Sequence, residues 1–99
     1  MAILAIFQGS ISKEMYEALR KEVKWESQPA LGGVLHAAGF DESGDIHVAD
    51  IWESEQDLNN FVSNRLAPAM QKLNILMPEV KVYPAHNINV FLGADKYKV

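Results

Sequence analysis

The fold of this 99-residue chain is decided by one stretch, Gly32–Glu53, which reads GGVLHAAGFDESGDIHVADIWE. It predicts two antiparallel strands joined by a tight turn at residues 41–44, because Asp first and Gly fourth are typical of a type I turn followed by a left-handed glycine. This turn pairs Asp41 with Asp45 and thereby sets the register of both strands. The resulting opposite pairs are Phe40 with Ile46, Ala38 with Val48, His36 with Asp50, and Val34 with Trp52.

The register places His36 directly opposite Asp50 on a face that is otherwise largely apolar. We expect this even-numbered face to point away from the helices. The odd-numbered face carries Leu35, Ala37, Ala49 and Ile51, and we expect it to pack beneath the helices. A histidine facing an aspartate on an apolar face is unusual for a simple core, so the functional hypothesis is built on this pair.

The composition excludes several classes of function. A net charge of −4 without a basic cluster argues against nucleic acid and anionic membranes as partners. The chain contains no cysteine, which rules out disulfides, a thiol nucleophile and a thiolate metal site. The opening run MAILAIFQ lacks a basic region and is too short for a signal or a membrane span. These features predict a cytoplasmic protein with one domain at residues 1–92 and a polar tail at residues 93–99.

The segments on either side of the hairpin complete an alternation of strands and helices. A continuous apolar run at residues 2–8 predicts a central strand buried on both faces. Ser12 is the predicted N-cap of a helix that ends near Trp25. Ser54 opens a second helix that reaches about residue 73, which Pro68 should kink or split.

A fourth strand is predicted at residues 78–84, and Pro84 makes it an edge strand or a bulged one. Residues 85–92 alternate again and predict a further short strand. The order β-α-β-β-α-β is typical of a ferredoxin-like α+β fold with two helices on one sheet face. Each large apolar side chain left on the uncovered face would forgo roughly 1.5–3 kcal/mol of burial. We therefore expect a homodimer in which two sheets pair face to face and enclose a cavity.

The segment Asp50–Leu58, DIWESEQDL, followed by Phe61, resembles the strand-to-helix junction of the antibiotic biosynthesis monooxygenase-like proteins. The wider stretch Leu35–Ser54, together with Pro84–Asn87, is similar to a small subgroup of that superfamily without an assigned activity. The resemblance implies a dimeric α+β barrel. The superfamily includes cofactor-independent oxygenases, haem-degrading enzymes and cyclases, so the fold does not select one chemistry.

The resemblance carries over to few individual residues. Trp52 matches a position where cavity tryptophans occur in oxygenase and haem-degrading relatives. Gln8 stands where those relatives often have an asparagine near the end of the first strand. Residues 54–77 contain no histidine, so the axial ligand of the haem-degrading members has no counterpart, which argues against haem cleavage.

His36 and Asp50 form the predicted acid–base pair, because a carboxylate that binds one imidazole nitrogen leaves the other nitrogen free to exchange a proton near neutral pH. His86 is a third catalytic candidate, which a bulge at Pro84 would turn inward. The residues predicted to bind substrate are Gln8, Phe40, Val48, Trp52, Arg65 and Tyr83. Two histidines and an aspartate also allow a metal site, but their spacing specifies none.

The sequence therefore predicts a small-molecule enzyme without a cofactor or a metal. Its substrate would be a compact aromatic or polyketide-like molecule, and its chemistry cyclisation, isomerisation, elimination or oxygenation through a carbanion. The alternative is a non-catalytic module of the same fold that binds a small ligand or a partner, in which His36 and Asp50 only line the pocket.

Overall fold

The computed structural model describes residues 1–99 and contains one four-stranded antiparallel sheet with helices on one face. The elements in chain order are β1 Ile3–Gly9, α1 Lys13–Val23, β2 Gly33–Phe40, β3 Ile46–Trp52, α2 Glu55–Phe61, a π-helical turn Val62–Leu66, α3 Ala67–Lys72, β4 Glu79–Pro84 and a 3₁₀ helix Leu92–Tyr97. The strand order across the sheet is β2-β3-β1-β4. This arrangement confirms the ferredoxin-like fold, and β4 lies at an edge as Pro84 indicated. None of the helices is long and apolar enough to cross a membrane.

The central hairpin has the predicted turn. The Asp41 N–H donates to the Asp45 carbonyl (3.0 Å), the Gly44 N–H donates to the Asp41 carbonyl (2.9 Å), and Gly44 has φ +84°. Three of the four predicted pairs are confirmed, among them His36 with Asp50. The fourth is wrong, because a bulge between Gly33 and Leu35 makes Gly33 the partner of Trp52.

The expected orientation of the hairpin is wrong. Its even-numbered face lies under the helices, where Val48 and Trp52 are buried with Leu19 of α1 and Leu58 of α2. The odd-numbered face is open, and Leu35 is 42% exposed there. The physical reason is bulk, because the largest side chains of the hairpin, Phe40 and Trp52, both lie on the even-numbered face.

Strand β1 is central, but only one of its faces is covered. Ile3, Ala5 and Phe7 are buried beneath the helices, whereas Leu4 and Ile6 are half-buried on the open face. The expectation of burial on both faces therefore does not hold within one chain. The continuous apolar run of β1 is compatible with either orientation of the sheet, so it could not reveal which hairpin face the helices cover.

Both predicted helix N-caps are present. The Ser12 hydroxyl accepts from the Met15 N–H at 3.2 Å, and the Ser54 hydroxyl accepts from the Asp57 N–H at 3.1 Å. Helix α1 ends at Val23, before Trp25, because Lys24 adopts a left-handed conformation.

The second helix is split, as its proline predicted. The Ala67 N–H donates five residues back to the Val62 carbonyl, which forms the π-helical turn immediately before Pro68. The further strand expected at residues 85–92 is absent. After Pro84, which has no N–H, the ladder continues only through the Ala85 N–H to the Ala2 carbonyl.

Two glycines in the loops that flank β2 have a left-handed backbone, and they differ in the space around them. Gly32 and Gly44 have nearly the same left-handed φ, +83° and +84°. A Cβ at position 32 would lie 2.6 Å from the Asp57 Cβ, whereas position 44 has open space. Gly44→Ala is expected to lower the free energy of unfolding by about 1–2 kcal/mol. Gly32→Ala should cost about 1–3 kcal/mol more, because overpacking is added.

Urea unfolding of both variants measures the two costs. Because the two φ values match, the conformational cost of alanine is the same at both positions. The difference between the two losses of unfolding free energy therefore measures the crowding against Asp57. Equal losses in the two variants would contradict this account of the junction between β2 and α2.

Candidate active site

One row of side chains runs across the helix-covered face of the sheet. His36 of β2 pairs with Asp50 of β3, Asp50 pairs with Ala5 of β1, and Ala5 pairs with Val82 of β4. Ala5 is fully buried and contributes only a methyl group beside the carboxylate. His36 and Asp50 therefore lie on the edge strand β2 and its neighbour β3, and the rest of the row is apolar. Both side chains face α1.

Asp50 is buried, with 7% of its surface exposed, and both of its carboxylate oxygens have partners. Oδ1 lies 2.7 Å from Nδ1 of His36, and Oδ2 accepts from the indole N–H of Trp52 at 3.1 Å. Burial of an ionised carboxylate requires such hydrogen bonds. Because an ionised carboxylate only accepts, Nδ1 of His36 is the nitrogen that carries a proton.

Tyr16 of α1 continues this chain of hydrogen bonds. Its hydroxyl oxygen lies 2.7 Å from Nε2 of His36. In the neutral imidazole with its proton on Nδ1, Nε2 accepts, and the phenol donates to it. Burial raises the pKa of Tyr16 to about 12, so the hydroxyl keeps its proton at neutral pH. We call the three linked side chains Tyr16, His36 and Asp50 the relay.

Aromatic side chains surround the imidazole. The ring of Trp25 lies 5.5 Å from the rings of both Tyr16 and His36, measured between centroids. The rings of Tyr16 and His36 are nearly parallel, at 7°. Phe40 meets Tyr16 edge-on at 6.0 Å. These contacts hold the rings in place, while His36 keeps 37% of its side chain exposed and thus accessible.

The relay lies in the wall of a cavity of about 570 Å³ between the sheet and the helices. Nineteen of its 26 lining residues are hydrophobic, which favours an apolar ligand. Its volume is in the range of small-molecule sites, roughly 300–1,000 Å³. This cavity lies within a single chain, and a cavity enclosed between two paired sheets stays a prediction. The even-numbered face forms its floor because the helices cover that face.

Some residues predicted from the sequence do meet in this cavity. His36, Asp50, Val48 and Trp52 all line it. The ring of Trp52 packs against that of Phe61 at 5.4 Å between centroids, so it forms part of both the core and the cavity wall.

The other predicted site residues lie elsewhere. Gln8 and Tyr83 are on the open face of the sheet, because Gln8 alternates with the buried residues of β1 and Tyr83 pairs with Leu4. Phe40 supports Tyr16 from outside the cavity lining. His86 is exposed beyond the end of β4 and does not approach the relay. No bulge turns it inward, because β4 ends at Pro84.

Arg65 does not reach the cavity either. Its guanidinium donates to the Val23 carbonyl at 2.9 Å and stacks over the ring of Phe61 at 5.3 Å. It therefore ties the end of α1 to the π-helical turn. No three potential metal-ligating side chains come together anywhere in the chain.

Tyr16, Trp25 and the C-terminal segment are parts of the site that were not predicted from the sequence. Tyr16 lies three residues before Leu19 and seven before Val23, the two buried residues of α1, and this spacing was a usable signal. Trp25 carried none, because it follows the helix end. The predicted polar tail contributes lining residues: Ala94, Tyr97, Lys98 and Val99.

An ion pair lies at the edge of the cavity next to the imidazole. The carboxylate of Glu26, a lining residue, accepts from the Arg20 guanidinium at 2.7–2.9 Å. The hydrogen bond from Arg20 lowers the pKa of Glu26. This carboxylate is therefore anionic at neutral pH, and the guanidinium of Arg20 balances its charge.

The raised pKa of Tyr16 predicts a specific alkaline effect. Folded Tyr16 keeps its proton up to a pKa of about 12, whereas the unfolded chain releases it near 10. Between these values the folded state binds more protons, so stability falls as pH rises. Urea unfolding across this range should show a steeper loss for the wild-type chain than for Tyr16→Phe. Parallel curves would contradict the burial of the phenol.

No protein-family model and no curated protein sequence matches the chain. Several solved structures are similar to it. Rv0793 from Mycobacterium tuberculosis is similar with a TM-score of 0.69 and 10% identity, covering 91% of this chain and 100% of that one. SnoaB from Streptomyces nogalater, a cofactor-independent oxygenase, has a TM-score of 0.65 and 10% identity, and the match covers 88% of this chain and 95% of SnoaB. A candidate antibiotic biosynthesis monooxygenase from Deinococcus radiodurans has a TM-score of 0.58 and 21% identity, and the match covers 92% of this chain and 99% of that one.

These similarities extend over nearly the whole chain at low identity, so they establish a shared fold. The resemblance to antibiotic biosynthesis monooxygenase-like proteins, first indicated by the junction at Asp50–Leu58, is confirmed at that level. A shared fold does not transfer a reaction. The chemistry depends on the relay and its cavity.

Proposed function

We propose that this chain is a small-molecule enzyme that uses the relay to move a proton from a compact aromatic or polyketide-like molecule bound in the cavity. The observation that carries this proposal is the unbroken line of hydrogen bonds from Tyr16 through His36 to Asp50, two of 2.7 Å each. Two further features support it. The cavity is mostly apolar, and a cofactor-independent oxygenase shares the fold.

The hydrogen-bond directions define the proton path. Tyr16 donates to His36, so the free lone pairs of its oxygen can accept a proton from the ligand. As that proton arrives, the phenolic proton passes to Nε2 of His36, and the carboxylate of Asp50 stabilises the imidazolium. This is the arrangement in which a base is oriented by a third group. The ligand carbanion can then cyclise, isomerise, eliminate a group or react with dioxygen, and proton transfer itself calls for no cofactor.

The second candidate is a binding module without catalysis. It is favoured by one observation, the mutual satisfaction of Tyr16, His36, Asp50 and Trp52, in which every side chain already has a partner. Such a closed network can be purely structural. The two candidates differ in whether a bound ligand exchanges protons.

Anthrone is a suitable probe, because it is a flat tricycle whose central methylene group is a carbon acid. In heavy water without oxygen, the wild-type chain should accelerate deuterium incorporation at this methylene by about 10²-fold or more over buffer. Nuclear magnetic resonance of the probe measures the rate. Tyr16→Phe is the matched variant, because it keeps the ring and removes the only group that contacts both the cavity and Nε2.

The outcomes separate the two candidates. Fast exchange with the wild-type chain and slow exchange with Tyr16→Phe supports proton transfer. Saturable anthrone binding with exchange at the buffer rate would overturn the enzyme proposal in favour of the binding module.

We also propose that the open sheet face pairs with a second copy of the chain. Apolar side chains project from it: Leu4, Ile6, Leu35, Ala37, Ala49, Ile51 and Tyr83. Leu35 is 42% and Tyr83 49% exposed, so covering them would remove apolar surface from water. Sedimentation at micromolar concentration should give twice the chain mass of 11.1 kDa. Leu35→Glu should yield a monomer, and a monomeric wild-type chain would refute the pairing.

A further inference from the structure

We propose that Trp52 is a positioning residue of the relay, beyond its place in the cavity wall. Its indole N–H holds the Asp50 carboxylate in the one rotation that aims Oδ1 at Nδ1 of His36. The consequence for turnover rests on the proposed function. The consequence for the tautomer of His36 does not, because it is a property of the folded chain.

The geometry follows from the strand. Asp50 and Trp52 are two residues apart on β3, so their side chains project from the same face. The indole Nε1 reaches Oδ2 at 3.1 Å while Oδ1 contacts His36 at 2.7 Å. A terminal carboxylate torsion is intrinsically broad. With one partner on each oxygen, that torsion is fixed.

The donor is itself held firmly. Trp52 is 5% exposed, its ring packs on Phe61, and its backbone pairs with Gly33 at the β2 bulge. A Cβ at Gly33 would lie 3.7 Å from the indole ring, so the strand passes close over it. The indole N–H can only donate. It therefore occupies an acceptor site on Oδ2 of Asp50 and cannot itself accept a hydrogen bond.

Removing the donor should disturb His36 through Asp50. Trp52→Phe keeps an aromatic ring but leaves Oδ2 buried without a partner, which is costly. The carboxylate then rotates or takes up water, and its bond to Nδ1 weakens. His36 gains access to the tautomer with the proton on Nε2. In that tautomer Nε2 no longer accepts from Tyr16, and the proton path is broken.

Nitrogen-15 chemical shifts of the imidazole report the tautomer directly, at a pH where the spectrum itself shows the ring to be neutral. We expect the wild-type chain to show the Nδ1–H form almost alone, and Trp52→Phe to raise the Nε2–H fraction several-fold. Trp25→Phe is the matched control. It changes an indole 5.5 Å from the same imidazole that donates no hydrogen bond to Asp50, so the tautomer should not move.

A second measurement covers the case in which Trp52→Phe does not fold. In the wild-type chain, the indole proton of Trp52 should exchange with water far more slowly than that of Trp25. Equal exchange rates, an unchanged tautomer in Trp52→Phe, or an equal tautomer change in Trp25→Phe would each overturn the positioning role.

The same variants separate this inference from the proposed function. If the relay catalyses exchange on anthrone, Trp52→Phe should lower kcat about tenfold with a smaller change in KM. A tautomer shift in a chain that shows no exchange activity would sustain the positioning role and remove the enzyme proposal.

Discussion

Replacing His36 with glutamine is expected to lower the rate of proton exchange on anthrone by about 10²–10⁴-fold, the range that a positioned acid or base contributes. Glutamine is close in size to histidine and can still bond to Asp50 or Tyr16. It cannot take up the phenolic proton, so the path from Tyr16 ends there. The exchange rate, measured under anthrone saturation, gives the loss.

His47→Gln is the matched control for this variant. His47 also pairs with a carboxylate, since its Nε2 lies 2.8 Å from Asp41, but it is exposed on the open face near the turn. The same substitution there should leave exchange unchanged. Asp50→Asn should fall between the two, because it removes the stabilising charge and the fixed tautomer but keeps the base. Loss of exchange in both histidine variants would show that the relay is not responsible.

The hairpin register could be predicted because the turn that sets it is local. Asp41 accepts from two N–H groups of the turn, those of Ser43 and Asp45, and Gly44 supplies the left-handed residue. These preferences act within five residues and need no tertiary contact. The pairing of His36 with Asp50, on which the site depends, follows from this turn.

The covered face could not be predicted in the same way. It depends on how the volume of Trp52 and Val48 matches the helix stripe around Leu19, which is a tertiary property. Because the sequence indicated the opposite face, His36 and Asp50 were predicted to face a second chain, whereas they line a cavity within one chain. This expectation also hid Tyr16, because a helix residue can meet His36 only if the helices cover the even-numbered face.

The positions after β4 were misjudged for a related reason. Alternation at residues 85–92 predicts a strand only if a neighbouring strand offers hydrogen bonds. Here β1 begins at Ile3, and beyond Pro84 a single bond to Ala2 is left. His86 therefore continues past the sheet and cannot converge on the relay, whereas the tail, expected to be polar, runs back to the cavity with Tyr97 and Val99.

Trp52→Ala is expected to be the most destabilising single change in the site, lowering the free energy of unfolding by about 3–5 kcal/mol. The ring is 5% exposed and packs on Phe61, so its loss leaves a cavity in the core. Its indole N–H also satisfies the buried Asp50 carboxylate. A domain of this size has only about 5–15 kcal/mol of stability in all, so the loss is a large share.

Thermal unfolding should register the loss of Trp52 as a fall of roughly 15–30 °C in Tm. Comparison with Trp52→Phe separates the loss of ring volume from the loss of the hydrogen bond to Asp50. Phenylalanine restores most of the ring volume but not the donor, so its remaining deficit, about 1–3 kcal/mol, reports the unsatisfied carboxylate oxygen. Trp25→Ala provides the reference, because Trp25 is only half-buried and its indole donates no hydrogen bond to Asp50. An equal loss at positions 25 and 52 would mean that the Asp50–Trp52 bond stabilises neither the core nor the relay.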